Sequence, residues 1–183
     1  IFFYGAYHVV LDRNPRFLLV TMSACLVHWS FLSVNAVLLV YYLLGNRNVI
    51  YVPLALLSFY LPHLLTPFLR VLSLRLGGAY QARFSSYSSE GYILTVNESS
   101  AQDAWFMTIG SDLVFYFLII AIAAIQLLNR QLVQDRRERN LFSFLMLFLA
   151  FVNFAMPIPS FGGRFQRVFF LFATSYVFMY FIK

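Results

Sequence analysis

The chain has 183 residues, of which 61% are hydrophobic and 20% aromatic, and only 11% carry a charge. Its mean hydropathy of +0.76 indicates a membrane protein and excludes an ordinary soluble domain. The net charge of +6 comes almost entirely from arginines that lie between apolar runs. This arrangement indicates membrane topology and phosphate binding, and it excludes a nucleic-acid surface.

The first residues predict the end of a membrane helix followed by a turn. Residues 1–11 are apolar, and residues 12–15 (DRNP) favour a turn because the residue before a proline is pushed toward extended backbone. The chain opens without Met and without the basic region of a signal peptide. We therefore expect residues 1–183 to be a single transmembrane domain, truncated at its N-terminus, from a longer polytopic protein.

Residues 16–44 form one apolar run that predicts a single membrane-spanning helix. At a helical rise of about 1.5 Å per residue the run covers roughly 42 Å, enough to cross a bilayer with tilt. Thr21, His28, Asn35 and Tyr42 recur at equal spacing and would lie on one face of this helix. Because lipid cannot satisfy polar groups, we expect that face to contact protein, or water in a cavity that reaches His28.

A third helix is predicted over residues 49–74, bent by Pro53, Pro62 and Pro67, each of which removes a backbone hydrogen bond. Its polar residues lie three or four positions apart and share one face; they are Tyr60, His63, Thr66 and Arg70. Residues 75–105 break the apolar pattern with paired glycines and a serine and tyrosine cluster. A loop of this length is usually functional or disordered, and its tyrosines favour an ordered external loop.

The arginines between the later helices set the predicted topology. Residues 106–128 form an apolar span, and residues 129–140 hold the densest group of arginines, which the positive-inside rule places in the cytoplasm. Alternation then places residues 45–48 inside and three connections outside, namely residues 12–16, 75–105 and 157–167. Arginines on the outer side run against the rule; they are Arg70, Arg75, Arg83, Arg164 and Arg167. An anionic substrate that approaches from outside is the simplest reason for them.

Residues 157–167 (PIPSFGGRFQR) are the most polar interruption of the later apolar runs. The prolines bar helix, and Arg164 and Arg167 lie three positions apart, on one face at the start of the last helix. The helix end carries unpaired N–H groups and a partial positive charge, so the two guanidinium groups complete a site suited to phosphate. The alternative is that both arginines are interfacial anchors that contact lipid headgroups.

The sequence offers acid–base chemistry without a recognisable cofactor site. It contains no metal-ligand spacing, phosphate loop, nucleophile elbow or dinucleotide fingerprint, and its one cysteine, Cys25, lies inside an apolar run. We predict neither metal nor cofactor. Arginines that hold a pyrophosphate, with a neutral histidine or a carboxylate that accepts a proton, would suit transfer of a group from a lipid-linked pyrophosphate. The alternative for His28 and His63 is a histidine hydrogen-bonded between helices.

Three short segments are similar to the EpsG family of polysaccharide polymerases, which is related to the Wzy O-antigen polymerases. They are residues 26–31 (LVHWSF), preceded by the turn at 13–17 (RNPRF), residues 83–87 (RFSSY), and the late segment from Asn153 to Phe165. Their order and spacing cover nearly the whole chain. The chain departs from the family at its front, where the earlier helices and an Arg-Gln element do not occur.

The resemblance implies an all-α, GT-C-like transmembrane helical bundle in the bacterial inner membrane. It implies a metal-independent glycosyltransferase that joins repeat units carried on undecaprenyl pyrophosphate at the outer leaflet, with a chain-length regulator or other polysaccharide-assembly proteins as partners. His28 and Arg164 match the family's functional positions and are the expected catalytic residues. Arg70, Arg75, Arg83 and Arg167 are the expected substrate-binding residues.

Two other functions use the same residues. A flippase or transporter for lipid-linked oligosaccharide would bind the pyrophosphate without chemistry. A structural membrane subunit would only place its arginines against lipid headgroups. Arg164→Ala separates the last reading from the others, because it should leave a structural subunit active.

Overall fold

A computed structural model describes residues 1–61, 105–128, 135–158 and 161–182, together with the single positions 67, 71, 74, 75 and 78. The elements in these ranges are all α-helices, which confirms the predicted all-α class. They are α1 (Phe2–Leu11), α2 (Arg16–Val27), α3 (Phe31–Leu44), α4 (Asn48–Tyr60), α5 (Trp105–Leu128), α6 (Arg136–Ala155) and α7 (Phe161–Phe181).

Two of these helices are long and apolar enough to cross a membrane. The spans are Ile109–Leu128 in α5 and Arg136–Ala155 in α6, whereas the first four helices have 10 to 14 residues each. α5 leaves much of its apolar side exposed, as a helix that faces lipid would. Length and composition thus support a membrane location, while the number of crossings stays a prediction.

α6 is the central helix, and α1, α3, α4 and α7 all pack against it. Its stacked rings of Phe144 and Phe148 are fully buried and both meet the edge of Phe172 from α7. Phe172 also contacts Phe3 and Tyr7 of α1. Edge and offset contacts of this kind suit aromatic rings, and they link the first, sixth and seventh helices into one core.

The predicted single helix over residues 16–44 is wrong, because the chain reverses at residues 28–30. α2 ends at Val27, the backbone of His28 after it is extended (φ −151°, ψ 122°), and α3 begins at Phe31. α3 then folds back along α2, so that Asn35 Nδ2 donates to the Thr21 carbonyl at 3.2 Å. Helices of 12 and 14 residues cover only about 18 and 21 Å, so the hairpin they form does not cross a bilayer of about 30 Å.

The reversal also corrects the predicted topology, since residues 12–15 lie at the same end as residues 45–48. Arg13 Nη2 donates to the Tyr42 carbonyl at 2.7 Å, and Asn140 Nδ2 at the start of α6 donates to the Leu11 carbonyl at 3.1 Å. Residues 12–15, residues 45–48 and the start of α6 therefore lie together at one end of the bundle.

This correction increases the charge asymmetry between the two ends. Among the described residues, six arginines lie at the end that holds residues 12–16, 45–48 and 135–140; they are Arg13, Arg16, Arg47, Arg136, Arg137 and Arg139. In the described chain, the other end has Arg164 and Arg167 at the start of α7. Under the positive-inside rule, the six-arginine end is expected in the cytoplasm.

α4 shows how proline sets the end of the third helix. It begins at Asn48, continues through Pro53 and ends at Tyr60, with non-helical backbone at Leu61 (φ −123°, ψ 43°). Leu61 precedes Pro62, and that position disfavours helix. The predicted helix over residues 49–74 is thus interrupted there. Most of the predicted loop at 75–105 lies outside the described residues.

Candidate functional site

The corner between α6 and α7 places Arg164 one turn inside the last helix. α6 ends at Ala155, Ile158 N donates to the Ala155 carbonyl at 3.0 Å, and Gly162 N donates to the Ile158 carbonyl at 3.2 Å. A Cβ on Gly162 would lie 2.5 Å from Met156 Cα, so only glycine allows this close approach. The predicted position of Arg164 and Arg167 at the start of the last helix is confirmed.

The hairpin tip holds the His28 ring through its own backbone. Ser30 N lies 3.1 Å and Ser30 Oγ 2.7 Å from His28 Nδ1. Both contacts come from the first residue before α3, so the start of that helix fixes the ring's orientation. His28 is exposed at the end of a short helix, which replaces the predicted position midway along a spanning helix.

The two predicted catalytic residues meet although 136 positions separate them. Arg164 Nη1 lies 3.2 Å from His28 Nε2. Both line an open cleft of about 430 Å³ between the hairpin tip and α7. Its other lining residues are Ser30, Phe31, Phe165 and Val168. Among the described residues, the cleft thus combines one cation, one imidazole and one hydroxyl with an apolar wall.

The hydrogen bonds around His28 leave the cleft short of acceptors. The Arg164 guanidinium and the Ser30 N–H can only donate, and they face the two ring nitrogens. In a neutral imidazole, one nitrogen carries a proton, so either Nε2–H meets Arg164 or Nδ1–H meets the Ser30 N–H. An acceptor group placed between His28 and Arg164 would accept from the guanidinium and from Nε2–H, while Nδ1 accepts from the Ser30 N–H.

Two helix N-termini add positive potential to the cleft. α3 begins at Phe31 and α7 begins one turn before Arg164, and both residues line the cleft. The partial positive charge at each helix start reinforces the guanidinium. An anion with several oxygens, such as a phosphate or pyrophosphate, is the group that this combination favours.

Of the other predicted site residues, neither Arg75 nor Arg167 lines the cleft. Arg167 is exposed on α7, three positions beyond Arg164 and on the same side of the helix, which places it near the rim. Arg75 is helical and exposed. Arg70 and Arg83, like His63, lie outside the described residues.

Sequence reasoning missed Ser30 and Phe31 as parts of the site. The available signal was a serine two positions after a histidine, because serine favours the start of a helix. Without a proline or glycine nearby, the reversal at His28 had no local marker.

Within the described ranges, no three or more His, Cys, Asp or Glu side chains lie together as metal ligands would. The predicted lack of a metal stays a prediction. No family model, no curated protein and no solved structure matches the chain. The likeness to the EpsG family therefore still depends on the short segments quoted above.

Proposed function

We propose that this chain is part of a polytopic, EpsG-like polysaccharide polymerase in the bacterial inner membrane. The enzyme transfers an oligosaccharide from undecaprenyl pyrophosphate to an acceptor repeat unit at the outer face. The observation that carries the proposal is the meeting of His28 and Arg164 in one cleft. Other polysaccharide-assembly proteins, such as a chain-length regulator, are its expected partners.

In this reaction Arg164 binds the donor pyrophosphate. Its planar guanidinium donates two hydrogen bonds to phosphate oxygens and stabilises the charge that develops on the leaving group. Arg167 at the rim adds a second cation, and Arg75 and Arg83 are proposed to assist it. With arginines in this role, no metal ion is needed to neutralise the pyrophosphate.

His28 accepts the proton of the attacking hydroxyl. When the pyrophosphate takes the Arg164 donors, Nε2 is released. The proton then moves to Nδ1, which exchanges its bond from the Ser30 N–H for one to Ser30 Oγ and leaves a lone pair on Nε2. The acceptor oxygen then bonds to the anomeric carbon, and the bond from that carbon to the pyrophosphate oxygen breaks. The hydroxyl proton goes to Nε2 and the electron pair stays on the pyrophosphate.

The orientation agrees with this substrate. If the six-arginine end faces the cytoplasm, the cleft lies on the outer side of the bundle, one turn from the start of α7. A lipid-linked donor that has been moved to the outer leaflet would reach the cleft from there.

The main alternative is a flippase for the same lipid-linked oligosaccharide, because a flippase also needs a pyrophosphate site. The test is to replace His28 with Ala in the full-length protein and to examine surface polysaccharide by gel electrophoresis. A polymerase variant should display single repeat units without polymer. A flippase variant should display neither, and that result would contradict the polymerase.

A third reading makes the chain a structural subunit whose arginines contact only lipid headgroups. In that case both His28→Ala and Arg164→Ala would leave the polymer unchanged. Labelling of a cysteine introduced at position 157 from outside intact cells checks the orientation independently. Labelling from the cytoplasm alone would contradict the proposal.

A further inference from the structure

A second cavity lies on the opposite side of α7 from His28. Its volume is about 200 Å³, and the ends of four helices line it with Ser58 from α4, Asp112 from α5, Asn153 from α6 and Gln166 from α7. Gln166 follows Arg164 by two positions, a rotation of about 200° around the helix, so the two side chains point to opposite sides. The cavity is therefore separate from the cleft described above.

Gln166 is the strongest sign that the cavity takes a ligand. Its side chain is only 6% exposed, and its Nε2 has no hydrogen-bond partner among the described residues. A buried amide without a hydrogen-bond partner destabilises the folded protein. A ligand that accepts a hydrogen bond from this amide would remove that destabilisation.

The neighbouring polar groups offer acceptors. Asn153 Nδ2 donates to Ser58 Oγ at 2.9 Å, so the carbonyl oxygen is the group that Asn153 can offer to a ligand. Asp112 is the one charged residue within the apolar span Ile109–Leu128, and it forms no ion pair with a described residue. An ionisable side chain in such a span usually has a functional role.

The cavity differs chemically from the first cleft. Its described lining contains one buried amide donor, an amide carbonyl, a carboxylate and the rings of Phe115 and Tyr116, but no cation. A phosphate would meet the Asp112 carboxylate without a compensating charge, and a metal ion would meet the Gln166 N–H group. A ring of hydroxyl groups, with an apolar face for the aromatic side chains, fits both kinds of group.

We propose that this cavity binds one neutral sugar residue through its hydroxyl groups. Its volume equals that of about six or seven liquid water molecules, which suits a single ring and not a longer saccharide. Gln166 donates to one hydroxyl oxygen, and Asp112 and the Asn153 carbonyl accept from others. The proposal does not depend on the transfer reaction, because a polymerase and a flippase must both hold sugars.

The test uses the full-length protein in lipid nanodiscs and saturation-transfer NMR with methyl glucoside, methyl galactoside and N-acetylglucosamine. Gln166→Met keeps the size of the side chain and removes the amide. We expect it to weaken glycoside binding about tenfold or more while thermal stability stays equal or rises. A merely structural glutamine would give the opposite pattern, with lower stability and unchanged binding.

Gln126→Leu is the matched control, since this amide on α5 bonds Tyr176 and does not line the cavity. It should leave glycoside binding unchanged. Inorganic pyrophosphate binding, measured on the same samples, should depend on Arg164 and not on Gln166.

If no glycoside binds to the folded wild type, or if it binds Gln166→Met and wild type equally, the sugar site is wrong. The measurement of pyrophosphate binding would still test the cleft at Arg164 independently. If Na⁺ or Ca²⁺ competes with the glycoside and the competition disappears in Asp112→Asn, the cavity is a cation site and the proposal is overturned.

Discussion

The arginines at the two ends of the bundle have different hydrogen-bond partners. At the six-arginine end, Arg13 donates to the Tyr42 carbonyl and lies 5.8 Å and 5.7 Å from the ring centres of Tyr41 and Tyr42, while Arg137 donates to Asp12 at 2.9 Å. At the other end, Arg164 meets the His28 ring beside an open cleft. Arginines with acceptors hold the connections together, whereas Arg164 retains donors for a ligand.

The same contrast holds for the uncharged polar groups. Tyr41 OH donates to the Asn140 carbonyl at 2.9 Å, Asn46 Nδ2 donates to Asn140 Oδ1 at 2.6 Å, and Tyr51 OH donates to the Gly45 carbonyl at 2.9 Å. This network links α3, α4 and α6. In the cleft the donors converge with too few acceptors. The polar groups of the first end therefore maintain the fold, whereas the donors in the cleft are available to bind a ligand.

The sharpest test of this comparison is to remove one arginine from each end. Arg164→Ala should lower polymer formation by about 100-fold or more, by analogy with the loss of one donor that stabilises developing charge. Arg137→Ala should change activity little, because its ion pair is exposed. The measurement is the amount of surface polymer per folded protein.

Arg164→Lys refines the same test. Lysine keeps the charge but loses the bidentate geometry, so we expect a large partial loss. Full activity in Arg164→Lys would contradict a guanidinium clamp on the pyrophosphate. Equal losses of polymer formation in Arg137→Ala and Arg164→Ala would contradict different roles for the two ends.

The next largest effect is expected at the corner that positions Arg164. Gly162→Ala forces a Cβ into the backbone of Met156 and should destabilise the protein by about 1–3 kcal/mol, as overpacking does. Gly163→Ala meets no atom within 4 Å and should be neutral or stabilising by up to about 1 kcal/mol, since alanine favours helix. Thermal unfolding in detergent measures both. A Gly162→Ala protein as stable as Gly163→Ala would contradict the close corner.

A smaller loss is expected in the network at the six-arginine end. Tyr41→Phe leaves the buried Asn140 carbonyl without the tyrosine donor and should reduce stability by about 1 kcal/mol. Tyr42→Phe is the control, because Arg13 uses only its carbonyl and its ring. Activity per folded molecule should be unchanged in both variants. A specific loss of activity in Tyr41→Phe would show that this end also takes part in function.

The smallest effect concerns pH. The hydrogen bond from His8, and to a lesser extent the Arg137 guanidinium, lower the pKa of Asp12 below its ordinary value of 3.8. Because the folded pKa is the lower one, this contribution to stability is present above pH 3.8 and is lost as the pH falls through the folded value.

Asp12→Asn should therefore lower the melting temperature slightly above about pH 4, and its difference from wild type should disappear as the pH falls further. A large loss of stability near pH 7 in this variant would contradict the assignment, since Asp12 is exposed.

The polar residues of the first apolar run illustrate where sequence reasoning succeeds and fails. Thr21 and Asn35 are buried and bonded to each other's helix, as a polar stripe away from lipid predicts. The single helix that would carry the stripe is wrong, because both residues lie seven positions from His28 and the hairpin sets them opposite each other. Equal spacing is compatible with one helix face or with a reversal at its centre, so the pattern alone does not separate them.

Two features follow from the sequence alone: an all-helical chain of membrane-like composition, and a last helix that starts just before Arg164. These features depend on local chemistry, because proline removes a backbone donor and apolar runs favour helix whatever lies beside them. Three features depend on the tertiary structure. They are the reversal at residues 28–30, the position of residues 12–15 and 45–48 at the same end of the bundle, and the contact of His28 with Arg164. Each of these depends on contacts between residues far apart in the chain, such as Arg13 with Tyr42, and hydrophobic periodicity carries no information about such partners.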